Sequence, residues 1–256
     1  MRSPVMIILA SAGAAAVLAA CSDSTSADQR VVNVSFATQA SAAAGSALDV
    51  TVGDNTNTLV ITKAQIVVRK LSLKQSDATT CNDDDNATEA SDDCDEVKAG
   101  PMLVDLPLTE GATSELTASI PAGTYRELHF QIHRPTSAPA DQAFVTANPD
   151  FANASIRVEG TYNGTPFVYT STMTDVFELE FDPPVTLDAD NKNVTIRVNL
   201  SNWFMNGTTV IDPTSANPGQ PFEQVVRNNI RASFRSFEDD DHNGHDDDGV
   251  DDNDDH

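Results

Sequence analysis

Residues 155–172 read SIRVEGTYNGTPFVYTST, and this stretch decides the fold. Asn163-Gly164 separates two runs in which apolar and polar residues alternate. Asn-Gly suits a two-residue type I′ turn, because both central positions need positive φ. Such a turn sets the register. It pairs Tyr162 with Thr165, Gly160 with Phe167 and Val158 with Tyr169. Ile156, Val158, Phe167 and Tyr169 then share one face, and an aromatic opposite a strand glycine covers the backbone exposed there.

The same period of two recurs on both sides of the hairpin. Val32, Val34 and Phe36 alternate with Asn33 and Ser35. Residues 38–57 are ambiguous, with a short strand expected over Leu48 to Val52. Thr58 to Gln75 alternates over a long span, with Ile66 and Val68 in one register and Leu71 and Leu73 in another. The shift near Arg69-Lys70 predicts a bulge or a break between two strands. Short strands follow at Met102 to Leu106, stopped by Pro107, and at Glu115 to Ile120. Pro121-Ala122-Gly123 turns the chain into Thr124 to His133. There Leu128, Phe130 and Ile132 point one way, and Glu127, His129, Gln131 and His133 the other, which predicts a sheet with one wet face. Asp141 is placed to cap a short helix through Ala147, which Pro149 prevents from continuing. Phe177, Leu179 and Phe181 alternate with Glu178 and Glu180 until Pro183-Pro184, where that strand is expected to end. Val194, Ile196, Val198 and Leu200 form the next. One helix is convincing. It starts at Pro221, and Phe222, Val226, Ile230 and Phe234 step by four with Val225 beside them, a single apolar stripe. It is expected to dock on the sheet edge or across the open end of a sandwich. The fold class is all-β: an antiparallel Greek-key β-sandwich with one C-terminal helix and a disordered acidic tail.

The N-terminus has a different character. Arg2 precedes an apolar run of 16 residues, Val5 to Ala20, that ends in Leu18-Ala19-Ala20-Cys21. A charged start, an apolar middle and small residues at the end make a secretory signal peptide. The run is shorter than the roughly 20 residues a spanning helix needs. The cysteine after the small residues resembles a bacterial lipobox. That resemblance implies that Cys21 becomes the first residue of the mature protein and carries the lipid, with the membrane as a partner through that anchor. Ser22 stands where lipoproteins kept at the inner membrane often carry Asp, so the sorting rule implies the outer membrane. The expected division is a signal peptide over 1–20, a lipidated tether over 21–30, a β-sandwich with its helix over 31–237, and an acidic tail over 238–256. With Cys21 lipidated, Cys81 and Cys94 remain, and an even pair in an exported chain reads as a disulfide. Closing the loop between them is worth about 3 kcal/mol in the loop-entropy model.

The net charge is −24, but it is unevenly placed. Eight acids lie between Asp83 and Glu96 and eleven between Glu238 and Asp255, and neither stretch contains Lys or Arg. Setting those 19 acids aside leaves a body of −5. Nucleic acid needs a basic footprint, so it is excluded as a partner. Acidic blocks suit solvation or cation binding.

No nucleophile elbow, zinc signature or phosphate loop occurs, and no catalytic residue is assigned. Asp105, Glu178 and Glu180 read as solvated carboxylates on strand faces. His129 and His133 share a strand face but lie roughly 13 Å apart at 3.4 Å per residue, too far for one ion; both read as exposed. The tail carries the sharper pattern. Asp239, Asp241, Asn243 and Asp247 occupy positions 1, 3, 5 and 9 of a loop whose sixth residue is Gly244. Oxygen ligands at that spacing, with glycine at the sharp turn, suit weakly bound Ca2+. The loop resembles the calcium loops of thrombospondin type 3 and dockerin-like repeats. It departs from the EF-hand at position 12, where Val250 replaces the bidentate acid. A second, partial copy runs from Asp246.

The body also resembles a domain of unknown function found in bacterial surface lipoproteins. Leu103-Val104-Asp105-Leu106, Ile120-Pro121-Ala122-Gly123-Thr124-Tyr125 and Phe177-Glu178-Leu179-Glu180-Phe181-Asp182 carry the resemblance, over roughly residues 31–200. It implies a transthyretin-like or prealbumin-like sandwich, and no activity. The expected function is a non-enzymatic, lipid-anchored envelope protein that binds a glycan, a protein or the cell wall, or serves as a structural module. The alternatives are a calcium-responsive module ordered through its tail and an envelope enzyme of unknown chemistry.

Overall fold

Asn163 and Gly164 adopt φ of 50° and 77°, the left-handed pair that a type I′ turn requires. They join β8 (Ile156–Tyr162) to β9 (Thr165–Ser171) in the register expected from the sequence. The computed structural model describes residues 28–39, 49–77, 94–98, 100–109, 113–189 and 192–247. In chain order the other strands are β1 (Gln29–Thr38), β2 (Val50–Gly53), β3 (Thr58–Gln75), β4 (Cys94–Lys98), β5 (Met102–Asp105), β6 (Thr113–Pro121), β7 (Gly123–Ile132), β10 (Asp175–Leu187), β11 (Lys192–Val198), β12 (Met205–Asn206), β13 (Thr209–Val210) and β14 (Phe234–Glu238). Among the described residues two α-helices interrupt them, α1 (Pro139–Ala147) and α2 (Glu223–Arg231).

The strands form two main sheets. One runs β14-β11-β1-β6. The other runs β10-β7-β3-β8-β9, and β2, β4 and β5 also pair with β3. Val32, Val34, Phe36, Ile196 and Phe234 from the first sheet share one core with Leu71, Leu128, Phe130 and Phe177 from the second. Phe234 is the hinge of that contact, its ring centroid 5.4 Å from Phe130 and 4.7 Å from Phe177. The all-β sandwich is therefore the architecture. One pairing departs from the antiparallel expectation, since β1 and β11 run parallel.

Long β3 organises the larger sheet. It is one strand of 18 residues rather than two. The register shift falls between Arg69 and Ser72, where Lys70 takes φ of 54°, so the irregularity is a bulge. Pro183-Pro184 does not end β10, which continues to Leu187. β10 lies at a sheet edge and shifts register between Glu180 and Val185, the setting in which a strand tolerates proline.

Two helical expectations also change. α2 covers Glu223–Arg231, with Val226 and Ile230 buried, but Phe234 belongs to β14. The step of four continues past the helix end only because Phe234 happens to face the same core. In α1, Ala138 holds the N-cap position and no side chain caps it. Asp141 instead turns back to accept from the Thr136 N–H at 2.8 Å.

Candidate metal centre

The tail begins as an extension of β14. The Asp239 N–H donates to the Asn193 carbonyl at 3.0 Å, continuing the ladder against β11. The chain then turns sharply, with His242 at φ 57° and Gly244 at φ 82°. That turn wraps the backbone around the Asp239 side chain, which is fully buried. Its Oδ1 accepts from the Asn243 N–H at 2.9 Å, and its Oδ2 from the Gly244 N–H at 3.0 Å and from Thr195 Oγ1 at 2.8 Å. The Asp247 N–H donates to the Glu238 carbonyl at 3.1 Å, and Asp247 Oδ2 accepts from the Asp240 N–H at 2.6 Å, which closes the loop.

This closure brings Asp239, Asp241 and Asp247 together, each with a carboxylate oxygen within 4.8 Å of the others. A calcium ion with Ca–O bonds of about 2.3–2.6 Å spans oxygens up to about 5 Å apart, so the three fit around one ion. Asn243, the fourth predicted ligand, sits among them. Its Nδ2 donates to Asp241 Oδ2 at 2.9 Å and its Oδ1 accepts from the His245 N–H at 2.6 Å. Residues 239–247, expected as the start of a disordered tail, are thus a hydrogen-bonded loop packed on the sheet. Val250 and the remainder of the second copy lie outside the described residues.

A buried polar chain holds the loop from behind. Ser35, Asn193 and Thr195 are fully buried. Ser35 Oγ donates to Asn193 Oδ1 at 2.7 Å. Asn193 Nδ2 donates to Thr195 Oγ1 at 2.9 Å and to the Asp239 carbonyl at 2.8 Å. Outside, Lys192 Nζ bonds Asp240 at 2.6 Å and also pairs with Glu238. Those two carboxylates raise the Lys192 pKa. Burial acts against ionisation of Asp240, but Lys192 and the Asn193 N–H outweigh it and hold Asp240 below the ordinary carboxylate range. Asp239 differs. Burial pushes its pKa up despite the hydrogen bonds from Thr195, Gly244 and Asn243. The fold leaves that anion without full compensation.

The two histidines are buried rather than exposed. His129 is 2% exposed and His133 6%. His133 Nε2 lies 3.1 Å from both oxygens of Asp141, which α1 brings against the outer side of the sheet. Phe144 of α1, Phe151 and Ala154 pack there on Val67. His129 Nε2 lies 2.8 Å from Glu127 Oε2, and Lys74 Nζ lies 3.1 Å from the same oxygen. The two rings therefore have separate carboxylate partners. Glu178 is exposed and faces His129 across β7 and β10. Glu180 faces Glu127. Asp105 is exposed and accepts from Gln65 Nε2 at 2.7 Å. The burial of the histidines had one sequence signal. Ile66-Val67-Val68 is apolar on both faces, as in a strand covered on both sides.

Cys94 opens β4 opposite Lys74. Cys81, its expected partner, lies outside the described residues, as do Cys21 with the N-terminal segment and residues 78–93 of the acidic loop. Asp95 is described, and accepts from Tyr125 Oη at 2.7 Å and Gln75 Nε2 at 3.0 Å. Burial and that carboxylate push the Tyr125 pKa up. Among the described residues no helix is long and apolar enough to cross a membrane.

No family model matches the chain, and no curated protein matches it. Among solved structures, MbnP from Methylosinus trichosporium is similar over 78% of this chain and 87% of that chain, with a TM-score of 0.43 and 13% identity. A likeness at that level says nothing about function.

Proposed function

We infer that this chain is a non-enzymatic, lipid-anchored module of the cell envelope whose C-terminal acidic loop binds calcium. The observation that supports it is the convergence of the Asp239, Asp241 and Asp247 carboxylates within 4.8 Å, with Asp239 buried against β11. Calcium is a hard cation that prefers oxygen ligands, and the three convergent side chains all offer carboxylate oxygens. Binding would compensate the buried Asp239 anion and reinforce β14 at the sheet edge. The anchor rests on the lipobox-like Leu18-Ala19-Ala20-Cys21, and exposed strand faces or loops would meet a glycan, a protein or the cell wall.

The test is a calcium titration with a parallel thermal melt on the full chain in mild detergent. A site lacking the bidentate position-12 acid belongs at the weak end, with Kd on the order of 1 mM. Calcium at about 10 mM would then stabilise the fold by about 1.4 kcal/mol. For a body of this size that is a rise of roughly 3–6 °C. The rise should vanish in Asp241→Asn/Asp247→Asn, whose exposed side chains lie outside the core. An equal rise in parent and variant, or none in either, would sink the calcium reading.

A further inference from the structure

We propose that Glu127, His129 and Glu178 form a second metal site, for a divalent first-row ion of the zinc type, on the outer face of the larger sheet. It is independent of the tail, and its donor chemistry differs.

The sheet builds this site from register alone. Glu127 and His129 are two residues apart on β7 and so lie on one face. β10 pairs beside β7 and places Glu178 directly opposite His129. One ligand atom from each of the three lies within 4.8 Å of the other two. Directly opposed strand positions hold their Cβ atoms about 4.5–5.5 Å apart, so the third ligand is delivered by backbone pairing rather than by a flexible loop.

The donor set is one imidazole nitrogen and two carboxylates. That combination suits zinc-type ions, with bonds of about 2.0–2.2 Å, better than calcium. Two ligand atoms around a tetrahedral ion of that size sit about 3.3 Å apart. His129 Nε2 and Glu127 Oε2 are already 2.8 Å apart, so a spread of about half an ångström would admit the ion. His129 is nearly fully buried, whereas Glu178 is exposed, so the site opens to solvent on one side. Three protein ligands and one open position match a site that also holds water or a small ligand.

Lys74 and Arg126 define the competition. Lys74 Nζ lies 3.1 Å from Glu127 Oε2, and Arg126 Nε lies 3.1 Å from Glu127 Oε1. The lysine ammonium stands on the same carboxylate oxygen that faces His129. An incoming ion must displace it or share that oxygen with it. Lys74 therefore sets the affinity without being a ligand, and removing its charge should tighten binding. An ion-pair network with no metal role would show no gain in metal affinity, and losing Lys74 would only weaken the fold.

The test uses the full chain, stripped with chelator and held in excess calcium, titrated with Zn2+ by calorimetry and with Co2+ by visible absorption. The expected result is one ion per chain with a cobalt d–d spectrum. Affinity should fall at least tenfold in Glu178→Gln, an exposed position that leaves the core intact, and in His129→Gln. It should rise several-fold in Lys74→Met. Equal Zn2+ affinity in the parent and Glu178→Gln would overturn the proposal. So would binding abolished by Asp241→Asn but indifferent to Glu178→Gln, which would assign the ion to the tail and its histidines. Absence of zinc binding and of a cobalt spectrum would leave the cluster as an ion-pair network only, and would also overturn it.

Discussion

Replacing Thr195 by Val tests whether the tail loop is held by the sheet. Thr195 is fully buried in β11, and its Oγ1 donates to Asp239 Oδ2 at 2.8 Å. Valine has nearly the same shape, so no cavity opens. What is lost is the hydrogen bond to a buried carboxylate, together with the weaker neutral one that Oγ1 accepts from Asn193 Nδ2 at 2.9 Å. Bonds to charged groups contribute about 1.5–3 kcal/mol. Asp239 keeps two backbone donors, from Asn243 and Gly244, and Asn193 Nδ2 keeps the Asp239 carbonyl. The loss therefore stays within that range and does not reach the larger cost of a fully orphaned charge. With a shift of about 2–4 °C per kcal/mol, the melting point should fall by roughly 3–12 °C. The assay is a calcium-free thermal melt at neutral pH, followed by circular dichroism. Calcium affinity should weaken in the same variant, because Asp239 would be less firmly positioned. A melting point within about a degree of the parent would refute the reasoning, since it would mean that Asp239 does not depend on the buried chain behind it.

Gly160→Ala should destabilise the chain, although replacing glycine within a strand ordinarily helps. A Cβ there would meet the Val60 carbonyl oxygen at 1.9 Å and its carbon at 2.9 Å, and backbone cannot move aside cheaply. Overpacking of this kind costs about 1–3 kcal/mol or more, against about 0.4–1 kcal/mol gained from the unfolded chain; a raised melting point in chemical or thermal unfolding would contradict it. Asp54 accepts backbone N–H groups from Val210, Asn57 and Thr56, which lower its pKa from 3.8 to about 2. A depressed carboxylate contributes stability above its unfolded pKa and loses it as pH falls through the folded one. Acid unfolding should therefore steepen between pH 4 and 2 in the parent, and Asp54→Ala should flatten the curve in that window; identical profiles would remove Asp54 from the acid response.

The parts of the fold that were legible are those where local chemistry dictates geometry. Asn163-Gly164 admits one turn type, that turn admits one register, and the register names the buried face at Ile156, Val158, Phe167 and Tyr169. Long-range covering was not legible in the same way. The alternation along β7 was real, but it says only that Glu127, His129, Gln131 and His133 share a face. Whether His133 is wet depends on α1, which begins six residues later and returns to place Asp141 beside it. The period-four stripe failed at Phe234 for a related reason. Two elements that pack on one core can continue a pattern across their junction, and Ala232 and Ser233 carry no strong stop signal. In the tail, the 1, 3, 5, 9 spacing was readable because the ligands are local. Thr195 and Asn193 were not, because they reach Asp239 from a strand more than forty residues earlier.

The same loop also has a structural task that does not need an ion. β14 is an edge strand of five residues, and an exposed edge offers unpaired backbone to other chains. The chain answers with a short edge strand, then a turn that folds Asp239 inward and sets Glu238 and Asp240 on Lys192. The buried chain from Ser35 through Asn193 to Thr195 links that edge across β11 to β1, the first described strand. A one-residue slip of β14 would place the Asp239 carboxylate on the other face and deprive the Thr195 hydroxyl and one Asn193 amide N–H of their Asp239 partners. Each orphaned polar group costs about 1–3 kcal/mol, so the polar chain specifies one register more sharply than interchangeable apolar pairs would. On this account the cation adds to a loop that the sheet already positions, and the Thr195 variant and the calcium titration report on separable contributions.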